Sequence, residues 1–113
     1  MTTTAIARGI RDLEMIGGLN GTDIANVTDV SKATVSRWRN GTKKPQPKSE
    51  RVLADLIYVV RRLEDYYDND EIRMWLYARH PQLDGQRAID LIHVGQVIEI
   101  LRVLDRLDAD GYL

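Results

Sequence analysis

Apolar residues in the first part of the chain recur every three to four positions, which is the period of an α-helix. Four runs have this period, and we expect helices over residues 2–16, 22–27, 32–39 and 49–67. Threonines at the start of the first run can cap it, and Gly17-Gly18 ends it. Pro45 and Pro47 stop any helix before the fourth run, and Ser49 is its predicted N-cap.

The second part of the chain has shorter apolar runs separated by clear breaks. Helices are predicted over residues 70–79, 87–93 and 97–107. Pro81 ends the first of these, PQLDGQ is read as a loop, and Gly95 precedes the last. Ile72, Trp75 and Leu76 are expected to be buried. The pattern therefore predicts an all-α protein with two lobes, residues 1–67 and 68–113.

The two short helices at 22–27 and 32–39 depend on each other, because runs shorter than about 12 residues are not stable alone in water. Ser31 is placed to cap the second helix, and Asn40-Gly41 to end it with a left-handed residue. Val35 and Trp38 lie three apart on one side, so Trp38 is predicted to be in the core. This arrangement is that of a helix-turn-helix, whose second helix enters the DNA major groove.

Charge is distributed unevenly along the chain, although the net charge is only −1. Residues 1–49 carry eight Lys or Arg and four Asp or Glu, whereas residues 50–113 carry eight and thirteen. The stretch Ser31–Lys48 contains six basic residues and no acid. A basic block on a helix-turn-helix predicts phosphate binding. The acidic second half should face a different partner.

Outward-facing residues of the second short helix are candidates for DNA contacts. Contacts to base edges are predicted for Lys32, Ala33 and Arg37. Arg37 is the strongest of these, because a guanidinium can bind guanine with two hydrogen bonds. Hydroxyl groups can bond phosphates or only cap the helix, and both roles remain open for Ser31, Thr34 and Ser36. In the following loop, two roles remain open for Lys43, Lys44 and Lys48: they contact the DNA backbone, or they are only solvated.

The first half resembles the helix-turn-helix of the Xre and phage-repressor class in about a quarter of the chain. The residues that carry the resemblance are Leu19, Ile24, Ala25, Val30, Ser31, Thr34, Val35, Ser36, Trp38, Asn40, Gly41 and Pro45. Asp29 is a departure, because the class usually has glycine in this turn. The turn is then expected to rely on aspartate adopting a left-handed backbone angle.

The second half resembles the toxin-binding domain of the Xre/MbcA/ParS antitoxin family. The resemblance rests on the order of Trp75, Pro81, Leu83, Gly85, Leu91 and Gly95 before an apolar C-terminal helix. Ala88 departs from it, since the family often has proline there. The resemblance implies that the chain neutralises a RES-domain, NAD-consuming toxin by covering its active site. It assigns toxin contacts to Pro81, Leu83, Gly85, Arg87, Gly111, Tyr112 and Leu113.

The same resemblance implies that the chain binds the promoter of its own operon, as a homodimer or in a higher hetero-oligomer with the toxin. One alternative is a stand-alone Xre-type repressor whose second half only dimerises. Another is a neutralising protein whose helix-turn-helix no longer binds DNA.

The last predicted helix leaves a related question open. Its apolar residues cover more than one side, which fits either an interaction surface or a central core helix.

Catalytic and metal chemistry find little support in the sequence. There are no cysteines, and His80 and His93 lack the spacing of metal ligands. We expect His80 to bond locally. The chain is therefore predicted to be no enzyme and to need no cofactor or metal.

No apolar run approaches the roughly 20 residues that span a bilayer, and the N-terminus lacks a secretory pattern. A cytoplasmic protein without membrane contact is expected.

Overall fold

The structure, a computed structural model, describes residues 1–110. Within this range the chain forms seven α-helices: α1 (Thr3–Met15), α2 (Gly21–Thr28), α3 (Lys32–Arg39), α4 (Pro47–Leu63), α5 (Asn69–Tyr77), α6 (Ala88–His93) and α7 (Val97–Asp110). A short hairpin between α5 and α6 pairs β1 (Arg79–His80) with β2 (Gln86–Arg87) in antiparallel fashion. The all-α prediction is confirmed. No helix among the described residues has the length and apolar character to cross a membrane.

Side-chain caps begin several of these helices. The Thr2 hydroxyl accepts a hydrogen bond from the amide of Ala5 at 3.0 Å, as the threonines at the N-terminus predicted. At the start of α5, Asp68 and Glu71 form a capping box in which each side chain accepts from the backbone amide of the other. Such a box satisfies two amides that have no partner within the helix, and it fixes where the helix begins.

The predicted bounds of α4 are wrong at both ends. The helix begins at Pro47, and Ser49 lies buried inside its first turn rather than capping it. Proline suits a first helical position because its ring presets φ and its missing N–H is not needed there. The helix ends at Leu63, since the amides of Tyr66 and Tyr67 both turn back to the carbonyl of Leu63 at 3.0 Å.

The segment after α5 also differs from the prediction. PQLDGQ forms the predicted loop, but it connects the two paired strands of a hairpin and contains a 3₁₀ turn at Pro81–Leu83, neither of which the sequence predicts. As a result, α5 ends at Tyr77 and α6 begins at Ala88, because Arg79 and Arg87 pair across the hairpin. Trp75 is only half-buried, and its ring lies against that of His80 with centroids 4.5 Å apart.

One hydrophobic core runs through the described residues. The predicted core position of Trp38 is confirmed, since its side chain is 1% exposed. Helix α4 packs against α1 and α2 on one side of the predicted boundary and against α6 and α7 on the other. Helix α2 also contacts α6. The division at residues 67 and 68 stays a prediction, but its two parts share buried side chains in a single cluster.

Helix α7 is mainly a core helix, so the structure favours the central core helix over the interaction surface. Its buried residues form one stripe along the helix: Ile100, Val103, Leu104 and Leu107. Ile98 is 55% exposed, and Val97 and Leu101 are half-buried. The helix extends beyond the predicted end, to Asp110. The Tyr66 hydroxyl donates to Asp108 at 2.6 Å and ties the segment after α4 to α7.

Candidate functional site

The turn between α2 and α3 depends on an aspartate with a left-handed backbone. Asp29 has φ 58° and ψ 41°, as predicted for an aspartate at this position. The next amide, that of Val30, returns to the carbonyl of Ala25 at 3.0 Å. Non-glycine residues adopt this region at some cost, and aspartate is among those that tolerate it best. The turn therefore forms without the glycine that the helix-turn-helix class usually has.

Both ends of α3 are closed by local hydrogen bonds. The Ser31 hydroxyl accepts from the amide of Thr34 at 3.1 Å and lies 3.0 Å from the Thr34 hydroxyl, so Ser31 does cap the helix. At the other end, Gly41 has φ 74°, and its amide reaches the Trp38 carbonyl at 3.2 Å. The Thr42 amide reaches the Arg37 carbonyl at 3.0 Å, which completes a Schellman motif.

The inner face of α3 is fixed to the rest of the molecule. Val35 and Trp38 are buried against the core. Arg39 donates two hydrogen bonds to Glu14 of α1, at 3.0 and 2.8 Å. A two-pronged arginine–carboxylate pair constrains direction as well as distance. The opposite face of the helix is therefore held in a defined orientation.

The outward side of α3 and the loop after it form a surface that we name the basic face. Lys32, Ala33 and Arg37 are exposed, while Thr34 and Ser36 are half-buried. In the loop, Lys43 and Lys44 are exposed. Among residues 1–110, no carboxylate forms an ion pair with any of these four cationic side chains. The basic face thus presents hydrogen-bond donors and positive charge to solvent.

The hairpin between α5 and α6 carries the other predicted site. Pro81 and Gly85 are exposed near its tip, whereas Leu83 is only 3% exposed and supports the turn from the core. The Gly85 amide donates to the carbonyl of His80 at 2.9 Å. His80 Nε2 lies 2.7 Å from the carbonyl oxygen of Trp75, so its predicted local bond is confirmed.

Arg87, at the end of the hairpin, is half-buried and is bound through two of its three guanidinium nitrogens. It donates to both carboxylate oxygens of Asp90, at 2.8 and 2.9 Å. This bond holds the pKa of Asp90 below its ordinary value. The Arg87 guanidinium also lies over the ring of Tyr77, 5.5 Å from its centroid. Arg87 therefore has a fixed orientation at the edge of the hairpin.

A network that the sequence did not predict joins α2 to α5. Asp23 is 6% exposed and accepts hydrogen bonds from the Asn20 amide, from the Arg73 guanidinium and, at 2.7 Å, from the Tyr77 hydroxyl. Burial acts to raise the pKa of Asp23, but these hydrogen bonds outweigh it and hold the pKa below its ordinary value. Burial and the bond to Asp23 raise the pKa of Tyr77 to about 12.

Two sequence signals point to part of this network. Asn20 and Asp23 have the spacing of a capping box, and the box is present in the structure. Arg73 and Tyr77 lie four apart and so share one face of α5. Their partner on α2 is 50 or more residues away along the chain. No short-range pattern indicates that pairing.

Comparisons with known proteins identify the second half of the chain. Residues 62–109 match the family model described as the Antitoxin Xre/MbcA/ParS C-terminal toxin-binding domain. A probable mycobacterial cidal antitoxin from Mycobacterium tuberculosis is 37% identical over 75 residues, which are 66% of this chain and 64% of that protein. Residues 62–109 of this chain belong to the Xre/MbcA/ParS antitoxin family.

The fold of this chain is also that of a solved relative. A chain in the crystal structure of the M. tuberculosis MbcT-MbcA toxin–antitoxin complex superposes with a TM-score of 0.80 and 25% sequence identity. The superposition covers 95% of this chain and 96% of that one. The likeness therefore includes α2 and α3 as well as the matched C-terminal segment.

The family match places the hairpin and α5 to α7 within one domain type. Ala88, where the family often has proline, is fully buried at the start of α6. The three C-terminal residues to which the resemblance assigned toxin contacts, Gly111, Tyr112 and Leu113, lie outside the described residues.

Within residues 1–110, no group of three His, Cys, Asp or Glu side chains is arranged to hold a metal ion.

Proposed function

We propose that this chain is the antitoxin of a type II toxin–antitoxin pair, with one surface for DNA and another for the toxin. The observation that carries the proposal is the likeness of nearly the whole fold to a chain from a toxin–antitoxin complex. The family match over residues 62–109 supports the same function for the second half. Neutralisation is steric in this proposal, and the chain contributes no chemistry of its own.

The basic face is the proposed DNA-binding surface. Its cationic side chains are exposed and form no ion pair with the described carboxylates, so phosphates would not have to displace an internal partner. Lys32, Ala33 and Arg37 would contact base edges, and Lys43 and Lys44 the backbone. Ser31, which already caps α3, would add a phosphate contact through its remaining hydroxyl capacity. The target would be the promoter of the chain's own operon.

Two copies of the chain would bind two half-sites of that promoter. A single short recognition helix gives modest affinity, and linking two such helices raises the effective concentration of the second at its half-site. We therefore propose a homodimer, or a larger complex in which the toxin also takes part. The charge of the second half, eight basic against thirteen acidic residues, disfavours its lying along DNA.

The hairpin and the C-terminal residues are the proposed toxin-binding surface. Pro81, Gly85 and Arg87 would contact the toxin directly, and buried Leu83 would support them from beneath. Residues 111–113 would enter the mouth of the toxin's active site. By family resemblance, that toxin would be a RES-domain protein that consumes NAD and is encoded beside the antitoxin.

Co-expression of the chain with the protein encoded beside it tests this function. The proposal predicts a stable complex on pull-down, and cellular NAD that falls only when the chain is absent or lacks residues 111–113. A full-length chain with Arg106→Ala, an exposed position on α7, is the control and should protect NAD. If no complex forms and NAD is unchanged, the antitoxin proposal fails. Binding to promoter DNA alone would then leave a stand-alone Xre-type repressor whose second half dimerises.

A further inference from the structure

Both ends of α2, the first helix of the helix-turn-helix, are held by side chains from the second half of the chain. At its start, Asp23 accepts from Arg73 and Tyr77 of α5. At its end, His93 of α6 places Nδ1 3.0 Å from the carbonyl oxygen of Val27. We name these contacts the α2 clamp. It joins the proposed DNA-binding half to the proposed toxin-binding half.

The contact of His93 satisfies a carbonyl that the helix itself leaves open. Val27 lies in the last turn of α2, where carbonyl groups have no partner within the helix. A carbonyl can only accept, so the hydrogen must lie on Nδ1 of His93. The other ring nitrogen, Nε2, lies 3.6 Å from Asp29 Oδ2. His93 thus contacts α2 and the left-handed residue of the turn that leads into α3.

The position of α2 determines how α3 is presented. The two helices pack against each other, and only the turn at Asp29 and Val30 joins them. Two packed helices joined by so short a turn move together rather than separately. A change at either end of α2 would therefore reach the basic face, although the clamp residues do not belong to it.

The other side of the clamp reaches the proposed toxin-binding hairpin. The guanidinium groups of Arg73 and Arg87 both lie over the ring of Tyr77, at 5.0 and 5.5 Å from its centroid. Arg87 also binds Asp90, and His93 follows at the end of the same helix. A partner that binds Arg87 would therefore change the surroundings of both Tyr77 and His93.

We infer that Tyr77 and His93 are positioning residues through which occupancy of the toxin-binding surface changes the affinity of the basic face for operator DNA. The inference rests on the proposed function. Coupling between two sites requires an element that both sites influence, and α2 with its clamp is such an element. The coupling is reciprocal, so operator DNA changes the affinity for the toxin by the same factor.

The test measures the Kd for operator DNA with and without a saturating amount of the toxin encoded beside the chain. We expect the toxin to change this Kd by about fivefold or more in the wild type, the lower end of usual allosteric couplings. Tyr77→Phe removes only the hydroxyl that donates to Asp23, and should reduce the change to about twofold or less. Tyr66→Phe is the matched control, because it removes a hydroxyl bound to Asp108 and leaves α2 untouched.

A merely structural role for Tyr77 would give a different result. The variant would then unfold more easily, but the ratio of the two Kd values would equal that of the wild type. That result overturns the inference and leaves the proposed function intact. Failure of the wild type to bind either toxin or operator overturns both.

A second measurement needs no toxin. Amide resonances of Val35 and Ser36 in α3 should shift in Tyr77→Phe and in His93→Ala, and should remain in place in Tyr66→Phe. Neither α3 residue has a hydrogen bond to the substituted side chains, so such shifts would report a change carried by α2. Unshifted α3 resonances in both clamp variants would contradict the inference.

Discussion

The basic face and the arginines of the second half use positive charge in different ways. On the basic face, Lys32, Arg37, Lys43 and Lys44 are exposed and form no ion pair with the described carboxylates. In the second half, several arginines bind a carboxylate: Arg62, Arg73, Arg87 and Arg102. Unpaired charges attract a polyanion over a distance of about 10 Å at moderate salt. Paired arginines instead fix the positions of helices and of the hairpin.

Under the proposed function, this difference corresponds to two kinds of recognition on one chain. The basic face suits a ligand with repeated negative charge, and its binding should depend strongly on salt. The hairpin suits a ligand recognised by shape and by a few directed contacts. Halves that share one core should unfold together, and charges that differ in this way should respond differently to substitution and to salt.

Leu56→Ala should have the largest effect on stability. Leu56 is fully buried on α4, which packs against both halves, and its truncation should cost about 2–5 kcal/mol. Trp38 reports on the first half and Trp75 on the second when the other is replaced by phenylalanine. Within each single-tryptophan background, urea unfolding followed by tryptophan fluorescence should give the same midpoint as unfolding followed by circular dichroism, and Leu56→Ala should lower both midpoints equally. A fluorescence midpoint that differs from the circular-dichroism midpoint within one background would mean that the halves unfold independently. Ala54→Ser, exposed on the same helix, is the control.

Asp23→Asn should have the next largest effect, about 1–3 kcal/mol, because it weakens a buried group that has three donors. Since the folded-state pKa of Asp23 is lowered, its charge stabilises the protein above the ordinary pKa, and this contribution is lost as pH falls through the folded-state pKa. The difference in stability between wild type and variant should therefore shrink below about pH 4. A difference that stays constant from pH 6 to pH 3 would contradict the account.

Lys43→Ala should affect DNA binding without affecting stability. Removal of one phosphate contact reduces the slope of log K against log salt by about 1. Fluorescence anisotropy with labelled promoter DNA over a range of salt concentrations measures this slope. Arg106→Ala, which removes a charge from an exposed position on α7, should leave it unchanged. An equal loss of slope in both variants would show that charge acts through the whole molecule and not through the basic face.

Arg102→Ala should have the smallest effect. Arg102 and Glu99 form an exposed pair three residues apart on α7, and such pairs contribute about 0.5 kcal/mol or less. Thermal unfolding of this variant should be close to that of the wild type. A loss above 1 kcal/mol would mean that paired charges of the second half stabilise the fold more than the comparison of the two halves assumes.

The sequence predicts the first half better than the second because its signals are local. Ser31, Asp29 and Gly41 each act within five residues, through a cap, a left-handed turn and a Schellman motif. By contrast, each strand of the hairpin has two residues, too few for an alternating pattern to be visible. Pro47 is predicted to stop a helix but begins α4, because proline suits both positions.

The α2 clamp shows a second limit of sequence interpretation. The sequence predicts Asp23 only as part of a short helix, and His93 only as the last residue of another helix, without the spacing of a metal ligand. Their partners lie 50 to 66 residues away along the chain. Such pairs arise from packing of the whole core, which no local period encodes. The family resemblance gave the correct class of protein, but it carried no information about these contacts.

The central claim is that one chain carries separate surfaces for DNA and for a toxin, and two variants test it directly. Arg37→Ala and a chain that lacks residues 111–113 should each be measured for promoter binding and for protection of NAD against the co-expressed toxin. We predict that Arg37→Ala weakens promoter binding by about 1–3 kcal/mol and still protects NAD. The shortened chain should bind the promoter and fail to protect. Loss of both activities in either variant, at unchanged stability, would contradict the account.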